Sequence, residues 1–193
     1  MSDILVEAKA YTYSEYRELI HKMREQGMAT GGNSTEAYLN YTDLNNNRMD
    51  KWDKRFELSE DLKAAMDAMD HKERWVLLTE GWCGDAAHSV PMIAKMAEYS
   101  ANIKLEILLR DENLTLMDQY LTNGGRSIPK LIRFDEQGKE LGTWGPRPKA
   151  AQQIMTDGKA AGREKADITI DLQKWYARDR GAAINAEFSS ILK

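Results

Sequence analysis

The chain changes its hydrophobic rhythm near residue 74. Before that point apolar positions recur at helical spacing; after it, short apolar runs alternate with helical stretches. Thr12 followed by Glu15 makes a capping box for a helix reaching to about residue 26, and Gly27 stops it. Tyr16, Leu19, Ile20 and Met23 share one face of that helix. Ala29 to Ser34 reads as a loop. A second helix is predicted over 35–55, with Tyr38, Leu39, Tyr41, Leu44, Met49, Trp52 and Phe56 as its apolar positions. Asn45-Asn46-Asn47 is poor helix material, so the helix either runs on through it to about residue 55 or breaks there. Ser59 caps a third helix whose inward residues are Leu62, Ala65, Met66 and Met69.

Trp75-Val76-Leu77-Leu78-Thr79 is a continuous apolar run, as expected of a central strand buried on both faces. A helix over 83–100 follows, then a strand over 103–110. In that strand Ile103, Leu105, Ile107 and Leu109 alternate with Lys104, Glu106, Leu108 and Arg110, so one face is expected to be wetter. A short helix is predicted over 114–121. Gly124-Gly125-Arg126-Ser127 is a loop, and 131–134 with 140–144 form a hairpin around Asp135-Glu136-Gln137-Gly138. Another helix begins after Pro146 and Pro148 and runs to about residue 156. The tail carries two apolar groups, Leu172, Trp175 and Tyr176, then Ile184, Phe188, Ile191 and Leu192, with Gly181 between them. It reads as one helix or two. Strands joined through a helix are parallel with a right-handed crossover, and the hairpin makes the sheet mixed. The fold class is α/β, with a helical extension over 1–73, a core over 74–157 and a helical tail over 158–193, together one compact domain.

The charge balance narrows the function. Twenty-seven Lys and Arg against 31 Asp and Glu give a net charge of −4, which excludes a strongly basic nucleic-acid or membrane-surface binder. The longest apolar run, Trp75 to Leu78, falls far short of the roughly 20 residues of a membrane span. Met1 to Glu7 lacks a basic start followed by an apolar run, so no signal peptide is expected and the predicted location is cytoplasmic. Asn33, Asn40 and Asn113 each open an Asn-x-Thr sequon, which has no meaning without secretion. A single cysteine excludes an internal disulfide, a cysteine-based zinc cage and a self-contained dithiol centre. Asp43 to Asn47 begins like a calcium loop, but Arg48 and Lys54 stand where that loop needs Gly and Glu. No metal or cofactor is expected.

The informative stretch is Thr79-Glu80-Gly81-Trp82-Cys83-Gly84-Asp85-Ala86. It leaves a buried strand and opens a helix. A thiol at a helix N-terminus meets unpaired backbone N–H groups and the positive end of the dipole, and both favour the thiolate. Glu80 and Asp85 act in the opposite sense, since a carboxylate beside a thiolate favours the thiol. His88 lies five residues beyond Cys83, turned to another side of the helix, and reads as a packing residue. Pro91 falls inside the same helix. Some forty residues downstream come Ile128-Pro129, then the hairpin.

These residues together resemble the thioredoxin family over roughly residues 74–157. Trp82-Cys83-Gly84 is similar to the start of the family's Trp-Cys-Gly-Pro-Cys motif, Pro91 to its helix-kinking proline, and Ile128-Pro129 to its cis-proline pair. The resemblance implies a mixed four-stranded sheet of order 2-1-3-4. It also implies a cis peptide before Pro129, and a site in which Cys83 is catalytic while Trp82, Gly84, Asp85, Ile128 and Pro129 bind substrate. The sequence departs from the family where Ala86 replaces the second cysteine, Asp85 the proline between the two, and Leu77 the buried acid. Two readings follow. One is a monothiol thiol-disulfide oxidoreductase whose partner is a protein or peptide disulfide, or a low-molecular-weight thiol. The other is a catalytically degenerate module that binds a peptide or protein, with Cys83 incidental.

Overall fold

The computed structural model describes residues 8–193, so the reading of Met1 to Glu7 lies outside the described residues. The chain forms two compact units. One is built from the described residues up to Lys54 and from Asp70–Pro146, the other from Arg55–Met69 and Arg147–Lys193.

The first unit contains helices α1 (Tyr13–Glu25) and α2 (Glu36–Arg55), the latter ending at the unit boundary, and a four-stranded sheet with its own helices. The strands are β1 (Glu73–Thr79), β2 (Ile103–Leu109), β3 (Lys130–Asp135) and β4 (Glu140–Trp144), in the order β2-β1-β3-β4. β1 runs parallel to β2 and antiparallel to β3, which pairs antiparallel with β4. This is the mixed 2-1-3-4 sheet that the family resemblance implies. β1 is central, and Trp75 through Thr79 are all buried, as an uninterrupted apolar run requires. Helix α4 (Gly84–Tyr99) connects β1 to β2, with Pro91 inside it. Tyr11 exchanges two backbone hydrogen bonds with Ile107 at 2.8 and 2.9 Å, covering part of the outer edge of β2.

One open choice is decided and two expectations change. Helix α2 runs unbroken through Asn45-Asn46-Asn47. Asn45 is buried and its amide donates to the Gly81 carbonyl at 3.0 Å, so a tertiary hydrogen bond outweighs poor propensity. The helix after residue 113 is a single turn, α5 (Leu114–Met117). Gln119 and Tyr120 bond back three residues rather than four, and Asn123 and Gly124 then take positive φ to turn the chain toward Thr122–Gly125. In β2 the alternation holds only at the start: Lys104 is exposed, but Ile107, Leu108 and Leu109 are all buried. Leu108 joins Val76, Leu78, Ile128 and Ile132 in one apolar cluster.

The second unit is helical. It holds α3 (Glu60–Asp67), α6 (Lys149–Ala160), α7 (Lys165–Asp179) and α8 (Ala182–Ile191). Ser59 caps α3 as expected, accepting from Leu62 N–H at 3.2 Å. Asn185 of α8 joins the segments by accepting from Ser59 N–H and donating to Glu57 and Gly181 carbonyls. Ala151, Met155, Ile168, Leu172 and Tyr176 pack α6 on α7. α6 runs one turn beyond the expected end and includes Gly158, where a Cβ would come within 2.7 Å of Ile168. Of the second apolar group in the tail, Ile184, Phe188 and Leu192 are buried while Ile191 is 37% exposed. Among the described residues no helix is long and apolar enough to cross a membrane.

Candidate functional site

β1 ends at Thr79, and the next four residues turn the chain into α4. Cys83 N–H donates to the Glu80 carbonyl at 3.1 Å, closing that turn, and Cys83 is the N-cap of α4 in extended conformation. Its carbonyl accepts from Ala87 N–H at 3.0 Å, so the helix begins at full strength behind it. No side chain caps this end. The half-buried Cys83 thiol instead donates to the Ile128 carbonyl at 3.3 Å. The helix end favours a thiolate at this position, and the contact with a carbonyl oxygen favours the thiol.

The peptide between Ile128 and Pro129 is cis. Both residues are buried, and Lys130 then enters β3 beside β1. A second cis peptide, Gly145–Pro146, had no signal in the sequence. Gly145 has φ +114°, and a Cβ there would collide with the Pro129 carbonyl, so only glycine lets the exit of β4 pass so close to the cis-proline loop.

Trp82 is half-buried and held on several sides. Its indole N–H donates to the Thr30 carbonyl at 3.2 Å. The Tyr38 ring meets it edge-on at 5.1 Å, and the Arg110 guanidinium lies 4.9 Å from the ring centroid. Arg110 also pairs with Asp111 at 2.6 Å and donates to the Arg126 carbonyl at 3.2 Å, just before the cis-proline loop. Gly81 N–H donates to the Thr30 hydroxyl at 2.8 Å.

Helix α2 runs along the Cys83 turn and α4. Tyr38 touches Trp82, Asn45 bonds Gly81, and Trp52 donates to His88 Nδ1 at 2.8 Å. His88 is thus the packing histidine that its spacing implies, 6% exposed and with Nδ1 as an acceptor. Asp85 is buried in the first turn of α4, facing the half-buried Arg48 across an electrostatic gap. Asp43 to Asn47 lies within α2, which removes the calcium-loop geometry altogether. Among the described residues no group of three or more His, Cys, Asp or Glu side chains is placed to hold a metal ion.

The structure therefore brings Trp82, Cys83, Gly84 and Asp85 to one turn and sets Ile128 against the cysteine sulfur, with Pro129 next to it. Sequence reading missed the surroundings, Thr30, Tyr38, Asn45 and Arg110, and, for Glu80, that its side chain is sealed from solvent. Glu80 is fully buried, with Oε1 accepting from Asp111 N–H at 2.8 Å. Burial pushes its carboxyl up to about 7, against the pull of the Thr30 hydroxyl and the Asp111 N–H. The one signal available was its place directly after an apolar strand.

A family model described as thioredoxin matches residues 31–161. None of the curated proteins matches the chain. Two solved structures share its fold. One is the 1.5 Å crystal structure of a protein of unknown function from Pseudomonas aeruginosa, at 17% identity and a TM-score of 0.58, covering 94% of this chain and 97% of that one. The other is the crystal structure of an HIV epitope-scaffold, at 17% identity and a TM-score of 0.56, covering 94% and 98%.

Proposed function

From the premise that this chain belongs to the thioredoxin family, we propose that it is a monothiol thiol-disulfide oxidoreductase with Cys83 as its nucleophile. One observation carries the reading: the chain's single cysteine heads α4, half-buried, with its sulfur 3.3 Å from the Ile128 carbonyl at a cis proline. The Cys83 thiolate attacks one sulfur of a substrate disulfide. That forms a Cys83 mixed disulfide and releases the other substrate sulfur as a thiolate. Ala86 stands where a resolving cysteine would be, so an external thiol completes the cycle. It attacks the substrate sulfur of the mixed disulfide and frees Cys83. Trp82 and the Ile128–Pro129 loop are the substrate contacts of this reading, with Gly84 and Asp85 shaping the helix start. The substrate class is a protein or peptide disulfide, or a low-molecular-weight mixed disulfide.

Leu77 in place of the family's buried acid favours the second reading, a binding module that keeps the groove and has lost the chemistry. Intact-mass spectrometry of the folded protein with a small peptide disulfide separates them. The monothiol reading expects one peptide adduct on wild type, removed by an added thiol and absent from Cys83→Ser. Folded wild type that forms no adduct overturns it. Partner capture that survives Cys83→Ser belongs to the binding module.

A further inference from the structure

Glu80 and Cys83 are the two ends of one tight turn. The hydrogen bond from Cys83 N–H to the Glu80 carbonyl at 3.1 Å holds their Cα atoms within about 7 Å of each other. The Glu80 side chain is fully buried; Oε1 accepts from the Asp111 N–H, and the Thr30 hydroxyl lies beside the carboxyl, both neutral donors. The same end of β1 gathers further buried polar groups. The Tyr16 and Thr79 hydroxyls are both sealed from solvent and lie against each other. Tyr16 lies within electrostatic range of both Glu80 and Cys83, and burial keeps its phenol protonated well beyond the usual range. The charged groups facing Glu80 are Asp111, which opposes its ionisation, and Arg110, which favours it. Arg110 is already engaged by Asp111 at 2.6 Å. No cation pairs with Glu80 directly among the described residues, so a second negative charge one turn away is strongly disfavoured.

We propose that Glu80 sets the ionisation of Cys83, the two groups carrying one negative charge between them. In the resting site Glu80 is a carboxylate and Cys83 a thiol. A proton passes from sulfur to carboxylate, giving the Cys83 thiolate and a neutral Glu80 with no change in total charge. Once the thiolate has attacked a disulfide, the sulfur is neutral in its mixed disulfide. Glu80 then gives up its proton, which neutralises the departing thiolate, and becomes a carboxylate again. When the external thiol later displaces Cys83, the proton of that thiol ends on the Cys83 sulfur and restores the resting pair. The proton cycle rests on the monothiol reading above; the charge coupling does not. A carboxyl titrating near neutral pH suits this exchange.

The test is the pH profile of Cys83 alkylation by iodoacetamide in the folded protein, wild type against Glu80→Gln. Alkylation reports ionisation and needs no disulfide turnover, so a failure of the monothiol reading leaves it intact. With the carboxylate gone, the alkylation midpoint falls by about 1 pH unit or more. The reciprocal measurement follows the Glu80 carboxyl by carbon-13 NMR in wild type alkylated at Cys83 with iodoacetate, which leaves a fixed negative charge, and with iodoacetamide, which leaves none. The charged adduct moves the Glu80 titration up relative to the neutral one, and this arm stands even if Glu80→Gln does not fold. A Cys83 midpoint within about 0.3 unit of wild type in folded Glu80→Gln, or the same Glu80 titration in both adducts, overturns the proposal.

Discussion

β1 carries a buried glutamate at each end, and the two behave in opposite ways. Glu73, at its start, is 2% exposed; Glu80, just past its end, is fully buried. Desolvation pushes both carboxyls up. Glu73 escapes because Arg133 across the sheet grips both of its oxygens at 2.6 and 2.7 Å, Trp75 adds an indole N–H at 2.7 Å, and His71 approaches at 3.1 Å. Its carboxyl lies below the ordinary range, and it is a fixed anion. Glu80 has a backbone N–H and a hydroxyl but, among the described residues, no direct cation, and its carboxyl sits at about 7. Burial alone does not say whether a carboxylate is structural or chemically poised. The partners do. The structural one lies at the strand's start, and the poised one beside Cys83.

The largest effect should come from removing the cation. Arg133→Met leaves Glu73 buried with only the Trp75 indole and the half-exposed His71 beside it, and urea denaturation at neutral pH should show a loss of about 3–5 kcal/mol. A loss below about 1 kcal/mol would mean that water or another group satisfies Glu73, and the contrast with Glu80 would collapse.

The next effect lies at the other end. A carboxyl raised from its ordinary 4.5 to about 7 binds its proton more tightly in the folded than in the unfolded chain. Stability from this group therefore falls as pH rises from about 4.5 to 7, by about 3 kcal/mol in total, and stays lower above that. Glu73 contributes with the opposite sign: its stabilisation is present above its unfolded value and is lost as pH falls through its lowered folded one. Denaturation curves across that window should show the Glu80 slope in wild type and not in Glu80→Gln. Identical slopes would place Glu80 in a solvated or paired state and remove the contrast.

The smallest effect is at His71, which is half exposed and raised by its contacts to Asp70 and then Glu73. Its contribution is present at low pH and disappears as pH rises through the raised folded value. His71→Gln should cost under about 0.5 kcal/mol near pH 5.5 and nothing near pH 8. A larger loss would make His71, and not Arg133 alone, the partner that keeps Glu73 charged.

Much of the molecule was legible from residue order, because the relevant signals are local. The Thr12–Glu15 box caps α1 with both of its reciprocal bonds, the N–H of Thr12 to Glu15 at 2.8 Å and that of Glu15 to Thr12 at 3.3 Å. The apolar run from Trp75 became the central strand; the cis Ile128–Pro129 peptide was implied only by the family resemblance. Trp82-Cys83-Gly84 after a buried strand sufficed to locate the turn at the head of α4.

What sequence order could not carry was the identity of each polar group's partner. Asn45 reads as a helix breaker until Gly81, thirty-six residues away, accepts its amide. Glu73 and Glu80 are the same residue type at either end of one strand, and nothing local to them distinguishes their charge. That difference was decided by Arg133, sixty positions downstream and brought beside Glu73 by the β1–β3 pairing, where Glu80 meets only a backbone N–H and a hydroxyl among the described residues. Periodicity and capping are short-range and survive in one dimension. The free energy of a buried charge depends on which groups surround it, and only the tertiary structure selects them.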